Sequence, residues 1–145
     1  MSKGFGKYEL IAHLATGGMA EIYVARQTSI GGFEKLVVIK RILSHLAREK
    51  LFVQMFFDEA RIAARLNHPN IVQIYDLGHA EDEYYIAMEY LEGESLAQVL
   101  RQLRRNKSEL PPNLAAGIAM QVCEGLHYAH TMVGPALATS SSTSF

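Results

Sequence analysis

A lysine and a glutamate lie on otherwise apolar faces of two predicted elements, where an ionisable side chain is costly unless it is paired. Lys40 ends a strand-like run and shares a face with Val38 by the two-residue period of a strand. Glu59 lies in the apolar stripe of a predicted helix, between Met55 and Ile62. A buried carboxylate costs several kcal/mol unless it is paired or hydrogen-bonded. We therefore predict an ion pair between Lys40 and Glu59.

Other arrangements of these two side chains stay open on the residues alone. Arg41 follows Lys40 directly, so Lys40 could also lie at a solvent-exposed edge. Glu59 could lie at the rim of the helical stripe and pair with Arg61 or with water. Both arrangements would leave the two side chains without a common site.

A run of small residues between two predicted strands is the second candidate for chemistry. It reads Ala15-Thr16-Gly17-Gly18-Met19-Ala20. Small residues let backbone N–H groups approach a ligand closely, and phosphate is the usual ligand of such loops. The alternative is an ordinary hairpin turn.

Hydrophobic periodicity predicts the elements that would position these groups. Tight turns join the strands, which indicates antiparallel pairing and an α+β fold. The predicted elements, in chain order, are strands at 8–14, 21–26 and 36–40, a helix at about 51–66, strands at 71–77 and 84–90, a helix to about 105 with Ser95 as its N-cap, and a helix from Pro111-Pro112 to about 129.

Composition excludes several classes of protein. The 145 residues are about one domain's worth, with 49% hydrophobic and 20% charged residues. The net charge of −1 gives no general basic surface for nucleic acid or anionic membrane. One cysteine cannot form an internal disulfide, and no apolar run is long enough for a membrane span. We expect a cytoplasmic, globular chain.

The remaining candidate residues favour structural explanations. His127 and His130 have a helical spacing seen in metal sites, but no further ligand accompanies them, so packing or exposure is the better interpretation. Cys123 is expected in the core. A short basic run is best explained as a solvated face that complements a helix dipole; it consists of Arg101, Arg104, Arg105 and Lys107.

Four motifs in order resemble the ATP-binding half of a bacterial serine/threonine protein kinase of the eukaryotic (Hanks) type. The strand lysine of the family is matched by Val37-Val38-Ile39-Lys40. Its helix-C glutamate is matched by Glu59, ahead of His68-Pro69-Asn70-Ile71-Val72. Its gatekeeper and hinge are matched by Met88-Glu89-Tyr90-Leu91, followed by Gly93-Glu94-Ser95-Leu96.

The resemblance implies a domain organisation. Residues 8–131 would form a partial kinase domain, with the small lobe at 8–90, the hinge at 91–94 and the start of the large lobe at 95–131. The small lobe would be a five-stranded antiparallel sheet with helix C, followed by the first two helices of the large lobe. Residues 132–145, rich in Ser, Thr and Ala, would form a disordered tail.

The resemblance also implies an ATP site with Lys40 and Glu59 as its catalytic residues. Lys40 would hold the α- and β-phosphates, and Glu59 would orient Lys40. The Glu89 carbonyl and the Leu91 amide would bond the adenine edge, with Ser95 near the ribose. The other expected ATP contacts are Ala15, Thr16, Gly17 and Gly18 over the phosphates, and Leu14, Ile22, Val38 and Met88 against the adenine.

Two departures from the kinase pattern bear on activity. Ala15 and Ala20 replace the first and third glycines of the phosphate loop, as in similar bacterial members, so we expect nucleotide binding to survive. No aspartate follows Asp82, so the family's H-R-D and D-F-G segments are absent from this sequence. Mg²⁺ is expected for the family, but its ligands are missing here.

These observations predict the ATP-binding portion of a truncated or frameshifted kinase that does not transfer phosphate alone. The alternative is a non-catalytic, pseudokinase-like module that docks on a partner protein, because kinase lobes commonly associate through the helix-C side. A self-sufficient kinase with another carboxylate as base is the least favoured. An exposed apolar stripe on the last helix would favour self-association.

Overall fold

A computed structural model describes the backbone of residues 3–139 and the side chains of residues 4–132. These residues form two compact units. The first contains the chain up to Asn67 together with Val72–Tyr90. The second contains His68–Ile71 together with the chain from Leu91 onward.

One antiparallel sheet of six strands forms the first unit, one strand more than the sequence predicts. The additional strand, β1, is too short to show a period, and it pairs with β2 through a turn in which Gly6 has φ +57°. Its Phe5 is fully buried. The strands are β1 (Lys3–Phe5), β2 (Tyr8–Thr16), β3 (Ala20–Thr28), β4 (Glu34–Ile42), β5 (Ile74–Ala80) and β6 (Glu83–Glu89).

The order of the strands in the sheet is β1-β2-β3-β4-β6-β5. β6 therefore pairs with β4, and β5 lies at the edge. β5 starts at Ile74, three residues later than the predicted start at residue 71, because His68–Ile71 belongs to the second unit. The β5–β6 turn is tight, with positive φ at Glu81 and Asp82.

Side chains on the two faces of the sheet form two separate cores, as the alternation of a strand requires. One core lies on the face to which Val37 and Ile39 point; its buried members are Phe5, Tyr8, Leu10, Ala25, Val37, Ile39, Tyr85 and Ala87. The other core lies under the helix of this unit; its buried members are Ala20, Ile42, Phe56, Ala60 and Ile86.

Helix α1 (Lys50–Ala63) buries a narrower face than its sequence predicts. Phe56 and Ala60, one turn apart, are its buried residues. Met55 and Ile62, which the pattern places in the buried stripe, are 47% and 49% exposed. The face that meets the sheet is centred on Phe56 and Ala60, so residues at the flanks of the stripe stay accessible to solvent.

The second unit contains helices α2 (Leu96–Arg105) and α3 (Pro112–Thr139). A capping box begins α2 as predicted: the Ser95 hydroxyl accepts from the Gln98 N–H, and the Gln98 side chain accepts from the Ser95 N–H. No helix in the described part of the chain combines the length and apolarity needed to cross a bilayer.

The chain segment before β5 packs on α3 within the second unit. The Asn70 side chain donates to the Gln121 carbonyl at 2.9 Å, and the rings of His68 and Tyr128 lie 5.1 Å apart. A Cβ at Gly125 would lie 3.3 Å from the Asn70 carbonyl oxygen, so a glycine allows this approach.

Two expectations about α3 differ from the structure. Cys123 is exposed rather than in the core. The buried residue of α3 in this region is Gly125, so the packed side of the helix is not the side that carries Cys123. The helix also continues to Thr139, beyond the predicted start of the tail at residue 132. Alanine and leucine at 136–138 have high helix propensity and prolong it. The rest of the predicted tail, residues 140–145, lies outside the described residues.

Candidate functional site

Lys40 lies on the sheet face that carries helix α1. In the registers of β4 with β3 and β6, Lys40 is directly opposite Ile22 and Ile86. Directly paired residues project to the same side of an antiparallel sheet. The aliphatic stem of Lys40 therefore lies between two apolar neighbours, and its side chain is 20% exposed.

The Lys40 Nζ donates to the Glu59 Oε1 at 2.5 Å, which is the predicted ion pair. Glu59 does not sit on a buried face, however, because its side chain is 50% exposed at the rim of α1. The predicted partner is correct, whereas the predicted burial is wrong. A half-exposed ion pair contributes about 0.2–1 kcal/mol to stability, so its main effect is to orient the ammonium group.

Phe56 is a neighbour of Lys40 that the sequence analysis did not identify. The Lys40 Nζ lies 5.9 Å from the centre of the Phe56 ring, near the outer limit of a cation–π contact. Phe56 is fully buried and lies one helical turn before Glu59. That spacing was the available signal, since residues three apart on a helix share a face.

Arg41 does not share a site with Lys40, because successive residues of a strand point to opposite faces. Its guanidinium contacts Glu21 at 2.6 Å and Glu83 at 2.9 Å, and donates to the Tyr23 hydroxyl at 3.1 Å. Donation from Arg41 lowers the pKa of Glu21 below its usual range. The cluster ties β3, β4 and β6 together on the face opposite Lys40.

The turn between β2 and β3 is closed by its own backbone. The Gly17 N–H donates to the Ala20 carbonyl at 2.8 Å, and the Thr16 hydroxyl lies 3.0 Å from His13 Nε2. Gly17 and Gly18 have no positive φ, so the backbone conformation does not require glycine there. A Cβ at Gly18 would meet no atom within 4 Å. Open space therefore lies beside Gly18, whereas a Cβ at Gly17 would lie 3.6 Å from the Ala20 carbonyl oxygen.

The residues expected against an adenine ring lie on or near the Lys40 face. Val38 is directly opposite Met88 in the β4–β6 register, and both are half-buried. Ile22 is half-buried opposite Lys40, while Leu14, near the end of β2, is 53% exposed. These aliphatic side chains therefore lie in the same region of the sheet as the Lys40 cation.

The expected hinge residues are divided between the units. Glu89 ends β6 in the first unit, and its N–H donates to the Gln73 carbonyl at 2.9 Å. Leu91 and Ser95 belong to the second unit. Ser95 has a structural role there as the N-cap of α2, which the sequence analysis also predicts.

No group of three or more metal-ligating side chains occurs among the described residues. His127 and His130 are both exposed on α3. Within this pair the Lys40 ammonium is the group that can contact a nucleotide phosphate, and the Glu59 carboxylate orients it. The described residues show no donor set for Mg²⁺.

A family model described as "Protein kinase domain" matches residues 8–133. The tyrosine-protein kinase MasK of Myxococcus xanthus is 48% identical over 132 residues, covering 91% of this chain and 20% of that protein. The serine/threonine-protein kinase PrkC of Bacillus subtilis is 36% identical over 125 residues, covering 86% of this chain and 18% of that protein.

Solved structures agree with these matches. The crystal structure of the Mycobacterium tuberculosis PknI kinase domain superposes with a TM-score of 0.70 at 29% identity. The superposed residues make up 88% of this chain and 49% of the solved chain. This chain therefore spans about half of a solved kinase domain and about a fifth of the full-length relatives.

Proposed function

Because this chain belongs to the protein kinase domain family, with the α+β fold of the kinase small lobe followed by helices, we propose that it binds ATP and forms the nucleotide-binding part of a serine/threonine protein kinase. The ion pair between Lys40 and Glu59 carries the proposal. An ammonium group held by a carboxylate, beside a turn with open space above it, suits a polyphosphate. ATP binding also favours a cytoplasmic location.

In this proposal Lys40 contacts the α- and β-phosphates, and Glu59 fixes the direction of its side chain. The Ala15–Ala20 turn covers the phosphates. Adenine would pack against Leu14, Ile22, Val38 and Met88. The roles of the Glu89 carbonyl, the Leu91 amide and the Ser95 hydroxyl stay predictions from the family resemblance.

We further propose that these 145 residues bind ATP without transferring its phosphate. They contain no aspartate after Asp82, so neither the family's base nor its metal-binding aspartate is among them. Mg²⁺ would neutralise phosphate charge when bound. For the whole kinase, the proposed phosphate acceptor is Ser or Thr, as in the name of the serine/threonine-protein kinase PrkC, whereas MasK is named a tyrosine kinase.

Titration of the chain with a fluorescent ATP analogue tests nucleotide binding. We expect a dissociation constant between about 1 μM and 1 mM, as is common for enzyme substrates. Lys40→Ala removes a charge-assisted hydrogen bond to phosphate and should weaken binding by about 10-fold or more. Lys35→Ala is the matched control, because Lys35 lies on the same strand but over the Tyr75 ring. Equal binding by all three proteins would contradict the proposal.

The second candidate is a docking module without a nucleotide. It is favoured by apolar side chains on α1 that stay exposed, namely Leu51, Met55 and Ile62. Pull-down with a candidate partner kinase, repeated with Lys40→Ala and with Met55→Glu, separates the two functions. If Met55→Glu abolishes partner binding while Lys40→Ala does not, the docking function is supported. Met55→Glu should leave ATP binding unaffected.

A further inference from the structure

Helix α2 carries a cluster of cations that nothing in the described residues neutralises. Arg101, Arg104 and Arg105 lie in its second half, and Lys107 follows its end. None of the ion pairs among the described side chains includes any of these four residues. All four side chains are exposed, so their charges are open to an anionic ligand.

The helix dipole accounts for only part of this cluster. Cations stabilise a helix when they lie in its last turn, where the free carbonyl groups are concentrated. Arg104 and Arg105 occupy the last turn of α2. Arg101 lies a turn earlier, where the dipole contributes little. The helix dipole therefore does not explain why Arg101 stands four residues before Arg105, on the same side of the helix.

Arg101 and Arg105 line a cleft of about 510 Å³ in the second unit. Their spacing of four residues puts their side chains on one side of the helix, with Cβ atoms about 5–6 Å apart. Gln98 and Gln102, also four residues apart, add amide groups to the same cleft. The apolar lining residues are Val99 and Leu103.

We propose that this cleft binds an acidic peptide segment of a partner protein. Two carboxylates of the peptide would pair with Arg101 and Arg105, since a guanidinium binds a carboxylate through two parallel hydrogen bonds. The amide N–H groups of Gln98 and Gln102 would donate to peptide carbonyls, while the Gln98 carbonyl stays in the capping box, and an aliphatic side chain would pack on Val99 and Leu103. Glu94 lies at the other end of the cleft and disfavours acidic residues there.

Other anionic partners fit these residues less well. Nucleic acid binding usually combines a broad basic surface with aromatic stacking, and α2 has no aromatic residue. Insertion into a membrane surface needs a free apolar face. Leu96 and Val99 are 44% and 37% exposed, but Val99 lies among charged and amide groups in the cleft, so a peptide fits these residues better than a lipid surface.

Fluorescence anisotropy with the full chain and two labelled peptides tests the proposal. Both peptides have a Gly/Ser sequence with charged and Leu residues at one end. The charged residues are Asp in the acidic peptide and Lys in the basic peptide. We expect binding of the acidic peptide only, weakening as NaCl is raised. Arg101→Gln combined with Arg105→Gln should weaken binding by about 10-fold or more.

Arg104→Gln is the matched control, because Arg104 lies on the same helix but does not line this cleft. It should change affinity by less than about two-fold, and circular dichroism should show equal helix content in all variants. Equal binding of both peptides, or an equal loss in the control, would overturn the proposal. So would binding of a single-stranded oligonucleotide or of phosphatidylserine vesicles without binding of the acidic peptide. ATP titration of the same variants is a separate readout, because the proposed cleft does not depend on nucleotide binding.

Discussion

Under the proposed function, substitution of Glu59 should affect nucleotide binding more than the stability of the fold. Its carboxylate holds the Lys40 ammonium at 2.5 Å but is itself half exposed. We predict that Glu59→Gln weakens ATP binding several-fold while changing the unfolding free energy by less than about 1 kcal/mol. Nucleotide titration and urea denaturation measure the two effects. Asp58→Asn on the same helix is the control and should leave ATP affinity unchanged.

Asp76 makes the unfolding free energy of the sheet depend on pH in the acid range. The Lys7 ammonium, 2.7 Å away, donates to its carboxylate and holds the pKa of Asp76 below its usual range; the Tyr85 hydroxyl also donates to it. Because the folded pKa is lower than the unfolded one, this stabilisation is present above the unfolded pKa of about 3.9. It is lost as pH falls through the folded pKa.

We therefore predict that Asp76→Asn flattens the decline of unfolding free energy with pH below about 4. Urea denaturation across this range measures the change. Asp82→Asn, in the exposed β5–β6 turn, should keep the wild-type slope. An unchanged slope in Asp76→Asn would show that its ion pair with Lys7 does not form in solution.

The sequence predicted the pair at the site but not its surroundings. Lys40 and Glu59 could be paired from their positions in apolar patterns, because an unpaired ion there is costly. The exposure of Glu59 and Cys123 could not be derived, because a helical period gives the direction of an apolar stripe but not its width. Phe56 beside Lys40 depends on the distance between helix and sheet, which no local pattern contains.

Among the elements, the pairing of β5 with β6 leaves no room for a side chain at Gly78. A Cβ at this position would clash with the Tyr85 hydroxyl and lie 2.5 Å from its Cζ. Tyr85 is buried and cannot swing away freely. We predict that Gly78→Ala lowers the unfolding free energy by about 1–3 kcal/mol, measured by thermal denaturation. Gly4→Ala on β1 meets no atom within 4 Å and should cost less.

Element boundaries show where local sequence signals end. The strand β3 was located from alternation and β4 from its β-branched residues, and β2 and β6 were also predicted as strands; the N-cap of α2 was located from Ser95. β1 was missed because three residues give no period and its stability comes from pairing with β2. The end of α3 was placed too early, since a segment rich in small residues can continue a helix that begins far upstream.

For the whole chain, the apolar surface of α3 predicts self-association. Leu114, Val122 and Leu126 follow the helical stripe, and each is more than half exposed. We expect the 145-residue chain to form oligomers in light scattering at micromolar concentration, because burial of such a stripe is favourable. Val122→Glu with Leu126→Glu should shift the protein towards monomer.

Met120→Glu serves as the control for this change. Met120 is 60% exposed but lies off the stripe, so the one charge added there should dissociate the oligomer less than the one charge added by Val122→Glu alone. A monodisperse wild-type monomer would contradict the prediction. Equal dissociation by the control would indicate that net charge, rather than the stripe, sets the assembly.

The pairing of β4 with β6 also has a consequence for the rate of folding. The β2–β3–β4 meander joins segments that follow each other in the chain, so its loops are short and close at little entropic cost. The β4–β6 register instead joins Val37 to Glu89, with α1 and β5 in the intervening loop. Contacts so distant in sequence slow folding. We expect the meander to form first and Lys40 to acquire its Ile86 neighbour late, so the surface proposed to bind the nucleotide is among the last parts of the sheet to be completed.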